Sequence, residues 1–364
     1  MIASVNTSHR VKSLALLLVV FISPASLAWA APDTGTPLVS GFVDAGWFHD
    51  SDNSSPTSAN GAHQAFIVRD GAVYFQKSFS LAGVLLDVPF QSDISTGNSS
   101  LSITKGFDYK GQAYLHMKYE NGVFWKLGRF DKIFGFEAND TKDLRFTHQG
   151  LLYSNFAPRT HQGWLLGIKL GTIDLQGYVA HTNGLLGSGV STLGGTYSDG
   201  YSLRSPLNAS QPIRNYDFGF QASLDVGDAL AKIGYRFRKT PSQTAEGLLD
   251  AILGYKVSNL TLGAGFDYAK YSENGTHPQN AWGALAQADY SITPALQAGA
   301  RAEYTSHAGG LDGAKAFRVT VGPSYRYAEA LTLKADYSYM SDKFSGVMET
   351  ENSHWVAADV IFAF

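Results

Sequence analysis

Leu296-Gln297-Ala298-Gly299-Ala300-Arg301-Ala302-Glu303-Tyr304-Thr305 alternates without a break between apolar residues and residues that are polar, charged or bare. Successive side chains of a β-strand point to opposite faces, so this stretch has one greasy face and one wet face. A helix would scatter both sets around its circumference. The same period returns in Ala231, Ile233, Tyr235 and Phe237 against Lys232, Gly234, Arg236 and Arg238. It returns again in Leu331, Leu333, Ala335, Tyr337 and Tyr339 against Thr332, Lys334, Asp336 and Ser338.

Followed along the chain, the pattern predicts strands near 38–48, 66–78, 82–91, 110–118, 122–130, 163–170, 173–181, 214–226, 229–239, 248–257, 260–271, 281–291, 295–306, 315–327, 330–341 and 353–364. The first of these alternates poorly, and its facing is left open. The connections alternate in length. Short ones fall near 79–81, 119–121, 171–172, 227–228, 258–259, 292–294 and 328–329. Long ones fall near 49–65, 92–109, 131–162, 182–213, 240–247, 272–280, 307–314 and 342–352, and the second and fourth of these have room for an extra hairpin. Short turns on one rim and long loops on the other define an all-β fold, a transmembrane antiparallel β-barrel of about 16 strands.

Composition agrees with such a wall. Charged residues make up 16% of the chain, against roughly 25% in soluble domains, yet mean hydropathy is only -0.10. A bundle of membrane helices is excluded by that value, whereas a barrel meets lipid with every second residue alone. There is no Cys, which rules out disulfides, thiolate metal sites and a Cys nucleophile. With 28 basic and 31 acidic residues, the net charge of -3 gives no electrostatic case for nucleic acid.

Residues 1–30 read as a signal peptide. Arg10 and Lys12 are followed by the apolar run Leu14 to Ile22, and Ala28-Trp29-Ala30 supplies a small-x-small cleavage pattern. Cleavage after Ala30 leaves a single barrel domain over 31–364. At the other end Val356, Ala358, Val360, Phe362 and Phe364 share the expected lipid face. A terminal Phe after alternate apolar residues resembles the C-terminal recognition signal of outer-membrane barrels, which implies the barrel assembly machinery as a partner. Trp47, Phe48, Tyr119, Trp164, Tyr255, Trp282, Tyr290, Tyr304, Tyr339 and Trp355 lie near strand ends and are expected to form aromatic girdles in contact with membrane lipid.

The opposite parity gives the lumen wall. It includes His116, Lys118, Lys126, Lys169, Lys232, Arg236, Arg238, Asp267, Asp289, Arg301, Glu303, Arg318, Lys334 and Asp336. A barrel of sixteen to eighteen strands is too wide for its side chains to fill, and so many charges predict a wet interior. The stripe Lys232, Arg236 and Arg238 either favours anions on one wall or pairs with neighbouring acids such as Asp217, Asp225 and Asp250. A constriction is expected from the long loop 131–162, carried by Arg129, Asp131, Lys132, Glu137, Asp140, Lys142, Asp143, Arg145, His148, Arg159 and His161. Loops of this length in a compact domain are usually functional or disordered. Folding inward is the expectation, and capping the outer rim is the alternative. The 182–213 loop, with Gly184, Gly187, Gly189, Gly194 and Gly195, reads as exposed.

One ordered series resembles a known family. Gln112-Ala113-Tyr114 is followed by Gly128-Arg129-Phe130, Gly135-Phe136-Glu137, Tyr153-Ser154-Asn155 and Pro158-Arg159-Thr160-His161-Gln162-Gly163. With the opening Ser40-Gly41-Phe42-Val43-Asp44-Ala45, it is similar to the putative β-barrel porin-2 family, best over residues 39–181. The resemblance implies an outer-membrane channel of a Gram-negative bacterium with no enzyme chemistry. It also implies that Arg129, Glu137, Tyr153, Asn155, Arg159 and His161 anchor the long loop, or serve only in its packing.

No G-x-S-x-G elbow, H-E-x-x-H pattern or phosphate-binding Gly-rich loop is present in the sequence, so no catalytic residue, metal or cofactor is expected. The expected role is a porin for passive diffusion of small hydrophilic solutes. The alternative is a binding protein or adhesin acting through its outer loops with a blocked lumen. The smooth outward face of Ala284, Ala286, Ala288, Ala298, Ala300 and Ala302 allows a homo-oligomer or plain lipid contact.

Overall fold

Period-two sequence becomes one continuous antiparallel ladder. The computed structural model describes residues 37–50, 63–93, 100–102, 110–158, 160–180, 216–239, 245–272, 279–306, 315–343 and 350–364. The expected signal peptide, Arg159 and the 182–213 loop lie outside the described residues. The strands are β1 (Leu38–Asp50), β2 (His63–Ser78), β3 (Ala82–Asp93), β4 (Ser100–Ser102), β5 (Gln112–Lys118), β6 (Val123–Asp131), β7 (Thr160–Leu170), β8 (Ile173–Ala180) and β9 (Tyr216–Val226). They continue as β10 (Ala229–Lys239), β11 (Ala245–Val257), β12 (Leu260–Ser272), β13 (Gln279–Ser291), β14 (Leu296–Ser306), β15 (Lys315–Ala328), β16 (Leu331–Lys343) and β17 (Thr350–Ala363). A short helix, α1 (Leu151–Asn155), lies in the long β6–β7 connection.

Strands pair with their neighbours in the chain, except that β3 pairs with β5 past β4, and β1 also pairs with β17, from Phe42↔Ala363 to Asp50↔Trp355. That last pairing closes the sheet. The tiny β4 pairs only with the end of β3, so the closed wall has sixteen strands. Closure is what a lipid-embedded sheet requires, since any open edge would leave backbone amides bare in hydrocarbon. Beyond the ladder, Gly41 and Phe364 exchange two backbone hydrogen bonds of 2.8 and 2.9 Å, which fasten the last residue to the first strand.

Strand ends at the short turns fall close to where the alternation stops. At the long-loop rim several strands run two or three residues further than the pattern predicts, as at β2, β7, β11 and β17. Beyond the hydrocarbon, neither face meets lipid, so alternation fades while the hydrogen-bonded ladder goes on. The tight turns use positive φ: Gly171 at 63°, Gly227 at 60° and, without glycine's freedom, Ser258 at 52°. Two-residue hairpins of the right twist need this conformation.

The two faces separate as the sequence requires. Leu127, Leu166, Leu253, Val321, Val360 and Phe364 point outward and are exposed. Asp217, Arg236, Asp250, Asp267, Arg301 and Asp336 point inward and are buried. A bulge in β2 opposite Asp44 and Ala45 shifts the register there, and Arg69 and Asp70 both reach inward partners, Asp359 and Lys110. Two aromatic residues of the expected girdle belong elsewhere. Phe48 and Trp355 share the inward face, stacked at 4.9 Å, with His148 of the long loop 6.0 Å from the indole. Parity, rather than nearness to a strand end, decides the side, and at this height the lumen offers them packing partners.

Candidate functional site: the loop inside the barrel

The β6–β7 connection, described over residues 132–158, enters the barrel and runs along the inner wall from β9 round to β16 and β2. Its first turn is fixed by aromatic packing. Phe134 is buried with Phe130, Leu165, Tyr178 and Ala180. Its ring occupies the space where side chains at Gly219 and Gly234 would stand, with ring carbons 2.7 and 2.6 Å from the positions a Cβ would take. Phe136 fills the same role over Gly263, and Phe156 over Gly283. Leu152 and Phe156 then pack with Leu248, Ala269, Ala281 and Leu285 of the wall. The inward faces of β9, β10, β12 and β13 thus carry glycine where the loop's rings press on them.

Polar anchors alternate with these apolar ones. The Gln221 side-chain amide donates to the Ile133 carbonyl. The Gly135 N–H donates to Asp250 at 3.0 Å, and the Gly150 N–H donates to Glu137 at 2.7 Å. Glu137 also pairs with Arg301, which in turn faces Glu303 at 3.0 Å. Arg145 donates to Asp289 at 2.6 Å and to the Gly322 carbonyl at 2.9 Å. The Thr147 N–H donates to Asp336 at 2.6 Å, and Lys334 donates to the carbonyls of Thr141 and Leu144. On the far side the Thr141 N–H donates to Asp70 at 3.1 Å, Tyr74 donates to Asp140, and Lys110 bridges Asp70 and Asp140.

The remaining loop residues hold the loop to itself. Asp131 accepts from the Lys132 N–H at 2.7 Å and from Asn139. The Tyr153 hydroxyl donates to Asn139 at 2.6 Å. Lys132 lies over the Tyr153 ring, 4.0 Å from its centroid, and burial pushes its ammonium down to about 8 against the pull of Asp131, Glu137, Asp250 and Asp267. Burial likewise holds His148 well below its usual range, with Arg318, Arg301 and Arg69 acting the same way. It stands 3.6 Å from Asp336. Lys142 pairs with Asp143 at 2.6 Å on the water-facing side of the loop. Arg129 donates to Thr160 of β7 at 3.0 Å. His161, on β7, rests on the Tyr178 ring at 4.1 Å and beside Asp217 at 3.5 Å.

Among the wall residues, Arg236 is held by Asp217 at 2.9 Å and Arg238 by Glu246, so two members of the basic stripe are neutralised. Asp267 stands directly across the ladder from Asp250. Arg318 donates to the Gln149 carbonyl at 3.4 Å. His116, Lys118, Lys126, Lys169 and Lys232 sit on β5, β6, β7 and β10, and His116 lies across the ladder from Lys126. Sequence reading missed the acids Asp44, Asp70 and Asp87 and the base Lys110, all buried. It also missed a legible signal: glycine at successive inward positions, Gly219, Gly234, Gly263, Gly283 and Gly299.

The sequence family described as "Putative beta-barrel porin-2, OmpL-like" matches residues 38–364. No curated protein matches. Among solved structures, the anion-selective porin from Comamonas acidovorans is similar with a TM-score of 0.65 at 12% identity, over 90% of this chain and 99% of that one. The outer membrane channel DcaP of Acinetobacter baumannii gives 0.62 at 14% identity, over 90% and 97%. OmpT of Vibrio cholerae in its trimer form gives 0.61 at 9% identity, over 91% and 100%. At such identities the likeness establishes the fold.

Proposed function

The chain belongs to the putative beta-barrel porin-2, OmpL-like family, and from that premise we propose that it is an outer-membrane porin for passive diffusion of small hydrophilic solutes. The observation that carries this reading is the closed wall of sixteen strands, greasy outside and charged inside. A sheet of that size encloses more space than its own side chains fill. The membrane is the outer membrane of a Gram-negative bacterium, as for the named channels of similar fold. The role is transport, without enzyme chemistry.

The inserted loop supports a constriction built from residues 131–161, with the inward charges of β10–β16 as its supporting wall. The signal peptide over 1–30, a single barrel over 31–364 and delivery to the assembly machinery through the strand ending at Phe364 complete the proposal. The trimer form of the Vibrio cholerae OmpT supports reading this barrel too as one that self-associates. The number of anchors on the loop also favours a second reading, a binding protein whose lumen is blocked.

Swelling of liposomes in a graded series of uncharged sugars separates the two. A porin admits the smallest sugars and excludes larger ones at a sharp size. A blocked lumen admits none, although the protein is folded and inserted.

A further inference from the structure

The charges of the barrel are sorted by access to water. Among the described residues, eleven carboxylates are buried against six Lys and Arg. Most of those acids are consumed as anchors for the loop or as partners of arginines on the wall. Beyond the loop's contacts with Phe130, Leu165 and Tyr178, the half of the wall nearer the short turns, from β5 to β8 and on to β10, has the opposite character. Lys118, Lys126, Lys169 and Lys232 all lie on its inward parity. They keep access to water, and none forms an ion pair within 4.0 Å among the described residues. Lys126 lies over the Tyr114 ring at 4.8 Å, a contact that leaves its charge in place. The acid set among them is Asp174, directly across from Lys169 and in the same register row as Lys232, with Asp225 further along β9. At the tip of the loop a cavity of about 290 Å³ is lined by Arg326 and Lys334 together with Lys142 and Arg145, which are paired with Asp143 and Asp289.

We infer that solutes pass between the inserted loop and this half of the wall, and that the lysines there make the pore select small anions over cations. The inference rests on the channel reading given above. It follows from screening: with a Debye length of about 8 Å at physiological salt, a permeating ion feels the nearest water-facing charges, while acids buried in ion pairs contribute little to its path. Rings of Lys or Arg at a narrow aqueous passage favour anions for this reason.

The test is the reversal potential of the full-length mature protein in planar bilayers across a potassium chloride gradient. Chloride is expected to be the more permeant ion. The combined variant Lys118→Gln, Lys126→Gln, Lys169→Gln should lower the chloride-to-potassium permeability ratio by about threefold or more, whereas Lys270→Gln, on the outward face of β12, should leave it unchanged. Open channels that prefer potassium or do not discriminate overturn the inference and leave the porin reading standing. An unchanged ratio in a conducting triple variant also overturns it. Silence from protein that migrates as folded overturns both.

Discussion

Arg301 lies between two carboxylates. It pairs with Glu137 of the loop and Glu303 of its own strand, and its guanidinium sits over the Phe146 ring, 4.9 Å away. All three charges are withdrawn from water, so the cation is what makes the two acids tolerable. Removing one partner of a buried pair leaves an uncompensated charge, at a cost of about 3–5 kcal/mol. Arg301→Met is therefore expected to lower the unfolding free energy of the barrel by that order, read as a fall in the urea midpoint, and to loosen the loop as Glu137 retreats toward water. A midpoint equal to that of the unaltered protein would show that the brace carries no weight. Parity in the sequence gave Arg301 and Glu303 their inward facing. The link to Glu137, 164 positions away, could not be read, because nothing in a local pattern encodes which loop residue meets which wall.

At the scale of elements, the two most telling pieces are the last strand and the inserted loop. In β17 and just past it, Val356, Val360, Phe362 and Phe364 face outward while Ala357, Asp359 and Ile361 are buried inside. Its pairing with β1 removes the only edges the sheet would otherwise have. Deletion of Phe364 takes away both backbone bonds to Gly41 and an exposed ring beside it. The expected outcome is a several-fold drop in heat-modifiable, folded barrel recovered from outer membranes, and an undiminished yield would contradict the role assigned to this residue. The strands themselves were legible because burial on one face and lipid on the other impose a period of two. Phe48 and Trp355 were misread because aromatic residues near strand ends suit either surface. The loop was legible as a candidate from its length and its mixture of aromatics and charges, but its course was not. The glycines at 219, 234, 263 and 283 are the physical trace of that course: each is a wall position where an aliphatic or aromatic loop side chain takes the space a Cβ would need.

For the whole molecule, closure and filling pull in opposite directions. Sixteen strands open a lumen, and the loop between β6 and β7 then occupies much of it, held by apolar contacts to β9–β13 and by ion pairs and hydrogen bonds from β11 to β2. What passes through is set by the space between that loop and the lysine-bearing wall. The most direct measurement is single-channel conductance in planar bilayers of the unaltered protein beside a variant in which residues 132–158 are replaced by a short Gly-Ser linker, each first confirmed to migrate as a folded barrel. Discrete open steps from the unaltered protein, and larger steps from the shortened one, are the predicted result. A folded but silent unaltered protein, or identical conductance from the two, would contradict the account of a water-filled pore narrowed by its own loop.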